Sequence, residues 1–217
     1  MAAGDVTKAL RIAVRHRVGD LQGVRWADAE LDSFIDEAQG VLVHVLNDGA
    51  LWASTKVVET LLVAGTSDYA LPSDFVRDRY VEYKGVPAVR WDVRLTDVMR
   101  DSSVIVPSET TPFYQIHAGN ISFKVGTVTQ SGSDKFALWY VCKPPAVGDA
   151  VDPALPEGLH NLLLDYVVSR CYEQAGMFDV AERFAALFRQ QVDHVNARYA
   201  NTEAADERPT DVKVKVK

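Results

Sequence analysis

The stretch 23-GVRWADAELDSFIDEAQGVLVHVL-46 has one clear apolar face. Leu31, Phe34, Ile35, Ala38, Val41, Leu42, Val45 and Leu46 recur at steps of three and four, while Asp28, Asp32, Ser33, Asp36 and Glu37 fall on the other side. This spacing predicts a long amphipathic helix whose apolar stripe other elements must cover. Ala27 takes the N-cap position, Glu30 the third helical position, and Trp26 with Leu31 the hydrophobic staple of a helix start. Alanine cannot accept an orphan amide bond, which forgoes roughly 1 kcal/mol unless Asp28 caps in its place. Asn47-Asp48-Gly49 predicts a left-handed stop.

Upstream, Asp5 to Val18 reads as a first helix, with Val6, Ala9, Leu10, Ala13 and Val14 on one face and Lys8, Arg11, Arg15 and Arg17 elsewhere; Gly19-Asp20 closes it. The basic residues either meet DNA or an acidic partner or, more simply, form a solvated face. Downstream the period changes to two. Lys56 to Val63 and Asp68 to Leu71 flank the turn residues Ala64-Gly65-Thr66-Ser67 and predict a hairpin. Arg77 to Tyr83 and Val86 to Trp91 flank Lys84-Gly85 and predict another. Leu95 to Arg100 reads as a short helix. Pro112 to His117, Ile121 to Val125 and Phe136 to Cys142 continue as short strands around Ala118-Gly119-Asn120 and the polar loop Gly126 to Lys135, which reads either as a binding loop or as a plain surface excursion.

After Pro144-Pro145 and Pro156 the helical period returns in Leu159, Leu162, Leu163, Tyr166, Val167 and Arg170 up to Gly176. Phe178, Ala181, Ala185, Phe188, Val192, Val195 and Tyr199 then step three and four, so the two helices are antiparallel neighbours. Asn201 to Thr210 is polar, and 211-DVKVKVK-217 alternates valine with lysine. That tail reads either as a frayed basic end or as an edge strand for a sheet in another chain. The expected fold class is α+β: a bundle of about four helices, an inserted antiparallel β meander and an extended C-terminal tail. The expected boundaries are 1–52, 53–150, 151–200 and 201–217, with Trp26, Leu31, Phe34, Ile35, Phe178 and Phe188 in the helical core.

Composition bounds the function. The 217 residues are 47% hydrophobic and 24% charged, with no apolar run of bilayer length. The start MAAGDVTKAL lacks the pattern of a signal peptide, which predicts a cytoplasmic product and no membrane partner. A net charge of −7 argues against a protein that wraps nucleic acid, though not against DNA passing nearby. Cys142 and Cys171 match no metal or redox spacing and read as reduced, buried thiols. His16, His44, His117, His160 and His194 are scattered one per element, and no phosphate loop or nucleophile elbow occurs, so no catalytic residue, metal or cofactor is expected. Asp28, Asp32 and Asp36 form a stripe that a cation could use, but a solvated face is the simpler reading. Glu30 or Glu157 as the acid of a cell-wall hydrolase remains the competing class.

The order of elements, two helices, a β excursion and two helices, resembles the head-to-tail adaptor (connector, head-completion) proteins of tailed bacteriophages. The likeness is carried by Trp26-Ala27-Asp28-Ala29-Glu30-Leu31 with Phe34-Ile35-Asp36-Glu37-Ala38-Gln39, by Ala64-Gly65-Thr66 through Tyr69-Ala70-Leu71-Pro72-Ser73-Asp74-Phe75, and by Leu155-Pro156-Glu157 leading into Ala175-Gly176. The resemblance implies a structural virion protein at the head-tail junction, assembled in the host cytoplasm. It implies a homo-oligomeric ring of about twelve copies beneath the portal, a lumen through which DNA passes without sequence-specific binding, and a platform for a tail or nozzle protein. It also implies a free monomer that the portal ring templates. On the residues themselves, Val212, Lys213, Val214, Lys215, Val216 and Lys217 are expected to bind the portal or a neighbouring subunit. Thr127, Gln130, Ser131, Ser133 and Asp134 are expected to form a tail-docking loop. A tail-completion or tail-tube protein is the alternative within the same class.

Overall fold

The computed structural model describes residues 4–91, 107–125 and 133–206. Their architecture is α+β, and the chain divides into two compact units, Met1–Ser54 with Lys143–Lys217 and, inserted between them, Thr55–Cys142. Lys143 to Ala150, grouped by sequence with the β insert, belongs to the helical unit.

The helical unit holds α1 (Asp5–Val18), α2 (Asp28–Val45), α3 (His160–Gln174) and α4 (Phe178–Asp206). Its centre is α3, which packs against each of the other three. Leu162, Leu163, Leu164, Val167, Val168 and Cys171 are all buried, so α3 is apolar around most of its circumference. α2 covers its stripe with Leu31, Ile35, Ala38 and Leu42 against this centre. Ala27 is the N-cap of α2 and makes no side-chain cap bond. Trp26 is buried edge-on against the half-buried Phe34, with ring centroids 6.3 Å apart.

Two helix ends are closed by residues distant in sequence. The first amides of α1, at Val6 and Thr7, donate to Asp152 Oδ1 at 2.9 and 3.0 Å. Gly4 precedes them at φ 87°, where a Cβ would lie 1.9 Å from the Asp149 carbonyl oxygen, so only glycine fits this approach. The end of α2 departs from expectation. Leu46 is extended (φ −82°) and buried rather than left-handed, and Asn47 locks onto α4 instead. The Asn47 amide donates to Asn196 Oδ1 at 2.8 Å, Asn47 Nδ2 to the Asn196 carbonyl at 3.0 Å, and Asn196 Nδ2 to the Val45 carbonyl at 2.9 Å. A 3₁₀ segment, Asp48–Ser54, follows.

α3 ends as predicted at Gly176 (φ 75°), whose amide donates to Glu173 O while Met177 donates to Tyr172 O, the paired bonds of a Schellman cap. α4 then buries Ala181, Phe188 and Val192. Phe178, expected in the core, is 67% exposed, because the first turn of α4 projects past the end of α3. α4 also runs through Asp206, so Asn201 to Asp206 is helical rather than extended. Residues 207–217 and the expected helix at Leu95–Arg100 lie outside the described residues.

The inserted unit is not a simple meander but two four-stranded sheets. One has the order β1 (Thr55–Leu61), β8 (Lys135–Cys142), β3 (Phe75–Tyr83), β4 (Val86–Pro87). The other has β2 (Asp68–Ala70), β7 (Asn120–Lys124), β6 (Phe113–His117), β5 (Val89–Arg90). The expected β1–β2 hairpin does not form. β1 pairs with β8 and β2 with β7, so the Ala64–Ser67 turn carries the chain from one sheet to the other. The other two turns act as read. Tyr83 pairs with Val86 across Lys84-Gly85, and His117 with Asn120 across Ala118-Gly119, with positive φ at all four turn residues, as type I′ turns require. The two sheets share an aromatic core in which Phe123 and Phe136, and Tyr69 and Phe136, lie with ring centroids 5.0 Å apart. A bulge at Arg79 reverses the side-chain parity of β3, so Asp78 faces inward and takes the Tyr114 hydroxyl at 2.5 Å, while Tyr80 faces outward.

Asn196→Ala strips the side-chain bonds from both Asn47 and the end of α2. It is expected to lower helical-unit stability by about 2 kcal/mol, read by denaturant melts followed at 222 nm by circular dichroism.

Candidate functional site

The described residues bring no catalytic constellation together. His16, His44, His117 and His194 are exposed on separate elements, and the His160 ring nitrogen pairs with the Leu155 carbonyl at 3.0 Å. No cluster of three or more histidine, cysteine or acidic side chains that could hold a metal occurs among the described residues. Both cysteines are buried and free, and burial pushes the Cys171 thiol up to about 12 and the Cys142 thiol upward as well, away from nucleophilic thiolate. Glu30 accepts a 2.7 Å bond from Gln174, and Glu157 is exposed on a 3₁₀ turn, Glu157–Leu159. No helix of the described residues is long and apolar enough to cross a membrane.

The acids of the α2 stripe are paired within the helical unit rather than left to solvent alone. Asp32 takes a forked pair of bonds from Arg11, Nε at 2.7 Å and NH2 at 2.5 Å, and Arg11 also reaches Asp149 at 2.7 Å. Asp28 takes Arg15 at 2.6 Å, and Asp36 accepts the Val147 amide at 2.7 Å. Arg17 binds the buried Asp165 of α3. The arginines of α1 are therefore held by carboxylates of their own chain. The hydrogen bond to Asp32 raises the Arg11 guanidinium above its ordinary value against the opposing cost of burial.

Arg15 also positions the most exposed apolar loop of the helical unit. Between Gly19 and Ala27 the chain wraps around Asp20, whose carboxylate accepts the amides of Val24 (2.9 Å), Arg25 (3.2 Å) and Trp26 (3.0 Å) and the Arg15 guanidinium (3.2 Å). Partial desolvation pushes the Asp20 carboxyl up. The three amides and Arg15 outweigh it and hold the group below the ordinary carboxylate range. The result is a fixed loop that points Leu21 (61% exposed) and Val24 (87%) outward. Gln174 binding Glu30, and the Tyr172 hydroxyl donating to the Arg17 carbonyl at 3.2 Å, bring the end of α3 to the same end of the bundle. Met177 and Phe178 are also exposed there, beside a shallow depression of about 270 Å³ that reaches Val180. Four large apolar side chains on capped, rigid turns at one end of a helical bundle are suited to bind another protein rather than a small molecule.

In the β unit, Val57, Trp139 and Tyr80 form an apolar row across the outer face of the first sheet, with the Tyr80 and Trp139 rings 5.1 Å apart. Of the expected tail-docking residues, Thr127, Gln130 and Ser131 lie outside the described residues, and Ser133 is exposed. Asp134 anchors the loop end, with its carboxylate 2.9 Å from Lys84 Nζ and its carbonyl accepting the Leu62 amide at 2.8 Å. Val212 to Lys217 lie outside the described residues.

Residues 6–212 match the SU10 adaptor protein family, a span that covers the β unit and all but the two ends of the helical unit. The chain belongs to that family. It is a phage head-tail adaptor, a structural component of the virion. No curated protein matches it.

Two outcomes are expected. Arg11→Met leaves Asp32 and its neighbours without their cation and costs about 3 kcal/mol in a denaturant melt, most of it recovered in the double variant Arg11→Met/Asp32→Leu. For Asp20 the folded pKa lies below the unfolded one. Its contribution is therefore full above about pH 4 and is lost as pH falls through the folded value. Protection factors of the Val24, Arg25 and Trp26 amides should fall on acidification through that range. In Asp20→Asn they should be low already at neutral pH.

Proposed function

We propose that the chain assembles as a ring of about twelve copies beneath the portal, extends the DNA channel and presents the platform to which a tail or nozzle protein attaches. The observation that carries this reading is the family membership of a chain whose helical unit ends in a pre-organised apolar surface, Leu21, Val24, Met177 and Phe178. Rigid turns bind with little loss of conformational entropy, which favours a templated contact with a portal subunit. The helical unit forms the ring body and the β unit faces the tail, with residues 126–135 as the docking loop. The C-terminal residues engage the portal or a neighbouring subunit.

The charge pattern supports passage of DNA without adhesion. The net charge is −7, and Arg11, Arg15 and Arg17 are occupied by Asp32, Asp28, Asp20 and Asp165, so α1 offers phosphates few uncommitted cations. No described group favours the hydrolase reading, and a tail-completion role differs from the adaptor role only in its partner.

Light-scattering mass of the purified chain, alone and mixed with the portal protein of the same phage, tests the proposal. A monomer that saturates the portal at one copy per portal subunit is expected, and a chain that never binds the portal overturns it. Replacing Val24 and Phe178 with serine should leave the helical circular dichroism intact and weaken portal binding by about tenfold or more.

A further inference from the structure

β1 is an edge strand, and the geometry of its open side identifies a partner. The Leu62 amide donates to the Asp134 carbonyl while the Lys84 amide donates to the Lys135 carbonyl, which sets the phase of the ladder. Even-numbered residues of β1 exchange bonds with β8, and the N–H and C=O groups of Val57, Glu59 and Leu61 point away from it. The Val63 amide, next in that series, is taken by the Tyr69 hydroxyl at 3.0 Å, but no described residue bonds Val57, Glu59 or Leu61 on that side. The side chains of the same three residues lie on the outer face, where Val57 is 49% and Leu61 61% exposed. An edge with a free backbone row and two exposed aliphatic side chains is a template for strand addition.

We infer that Asp211–Lys217 of one copy adds as a strand to the β1 edge of a neighbouring copy. This rests on the ring reading above and names the receptor of the tail within it. The tail matches the edge in length, since both span seven residues, and in alternation. With its valines continuing the inner face beside Val58, its lysines fall on the outer face beside Glu59, whose carboxylate already takes Lys135 of β8 through Oε2 at 2.5 Å and would be flanked by a second cation of opposite charge to it. A chain of net charge −7 also favours a cationic strand over contacts between its own acidic copies. Residues 207–210 link the end of α4 at Asp206 to the strand, and with the strand they reach at most ~40 Å when extended. A single short strand binds weakly in free solution. It becomes effective where a ring holds the neighbouring edge at high local concentration, so the contact completes assembly without driving it in the monomer.

The test uses full-length chains assembled on the portal from two mixed variants, one carrying Glu59→Cys and the other a single cysteine at Lys213, Lys215 or Lys217. The native cysteines are buried and remain reduced under mild oxidation. At least one lysine position should give a disulfide between the two variants, and the control Val214→Cys should not. In unsubstituted rings, amides of residues 55–63 should exchange about tenfold more slowly than in rings of a chain truncated after Asp206. Rings that form normally but show neither the disulfide nor the protection overturn the inference and leave the ring reading standing. Disulfide formation only within one doubly substituted chain, or capture of the tail cysteine on a portal cysteine variant instead of on β1, also overturns it. Failure of the unsubstituted chain to form rings on the portal overturns the ring reading, and the inference falls with it.

Discussion

The helical unit depends on one constraint, that α3 is surrounded. A helix buried on one side can carry its polar residues on the other, but α3 has α1, α2 and α4 against it and still carries Asp165 and Ser169 in buried positions. An unpartnered carboxylate there would be costly, so α1 and α4 must arrive in a register that satisfies it. Arg17 of α1 binds one oxygen of Asp165, Gln191 of α4 binds the other at 2.5 Å, and the Ser169 hydroxyl donates to the Ala181 carbonyl of α4. Apolar packing alone would tolerate sliding of α1 or α4 by a turn. These bonds do not, and the exposed turns at the bundle end inherit their placement from them.

The same logic explains what was legible in the sequence. Helix positions followed from periodicity, and the stops at Gly19 and Gly176 and the turns at Lys84-Gly85 and Ala118-Gly119 followed from positive φ, all local signals. The central role of α3 did not. The run Leu162-Leu163-Leu164-Asp165-Tyr166-Val167-Val168 shows no clean stripe because it is buried around most of its surface, and α2, with the cleaner stripe, reads as the organiser for the very reason that one of its sides is wet. Strand pairing was hidden for a related reason. A period of two places a segment in some sheet, but it does not say that Lys56 and its neighbours pair with β8 rather than with the strand that follows.

The candidate site was legible in its parts and not in its assembly. Asp20 appeared only as a closing residue of α1, and Asp28, Asp32 and Asp36 as a wet face, because their partners lie across turns or on other elements. Asp152 capping α1 and Asn196 capping α2 act over still longer separations. One signal was present and unused. Gly19 and Gly23 bracket Asp20 in a stretch that also holds exposed Leu21 and Val24, a composition suited to a loop wrapped around a carboxylate. Phe178 misled because a heptad count cannot say where the facing helix ends.

An assembly protein must avoid associating before its template arrives and still bind firmly afterwards, and the two proposed surfaces would divide that task. The bundle end loses little entropy on binding, since Asp20, the Schellman cap and the Glu30–Gln174 contact already hold its turns, but it offers only a few apolar side chains. In the proposed assembly their limited area would keep isolated copies apart and become adequate only where a portal presents matching sites in a ring. A strand contact between neighbours has the opposite character. Its backbone bonds would be numerous, but fixing a strand of seven residues costs conformational entropy, so it would contribute once a ring had brought donor and edge together. Preorganisation at one surface and deferred ordering at the other would make closure of the ring conditional on the template.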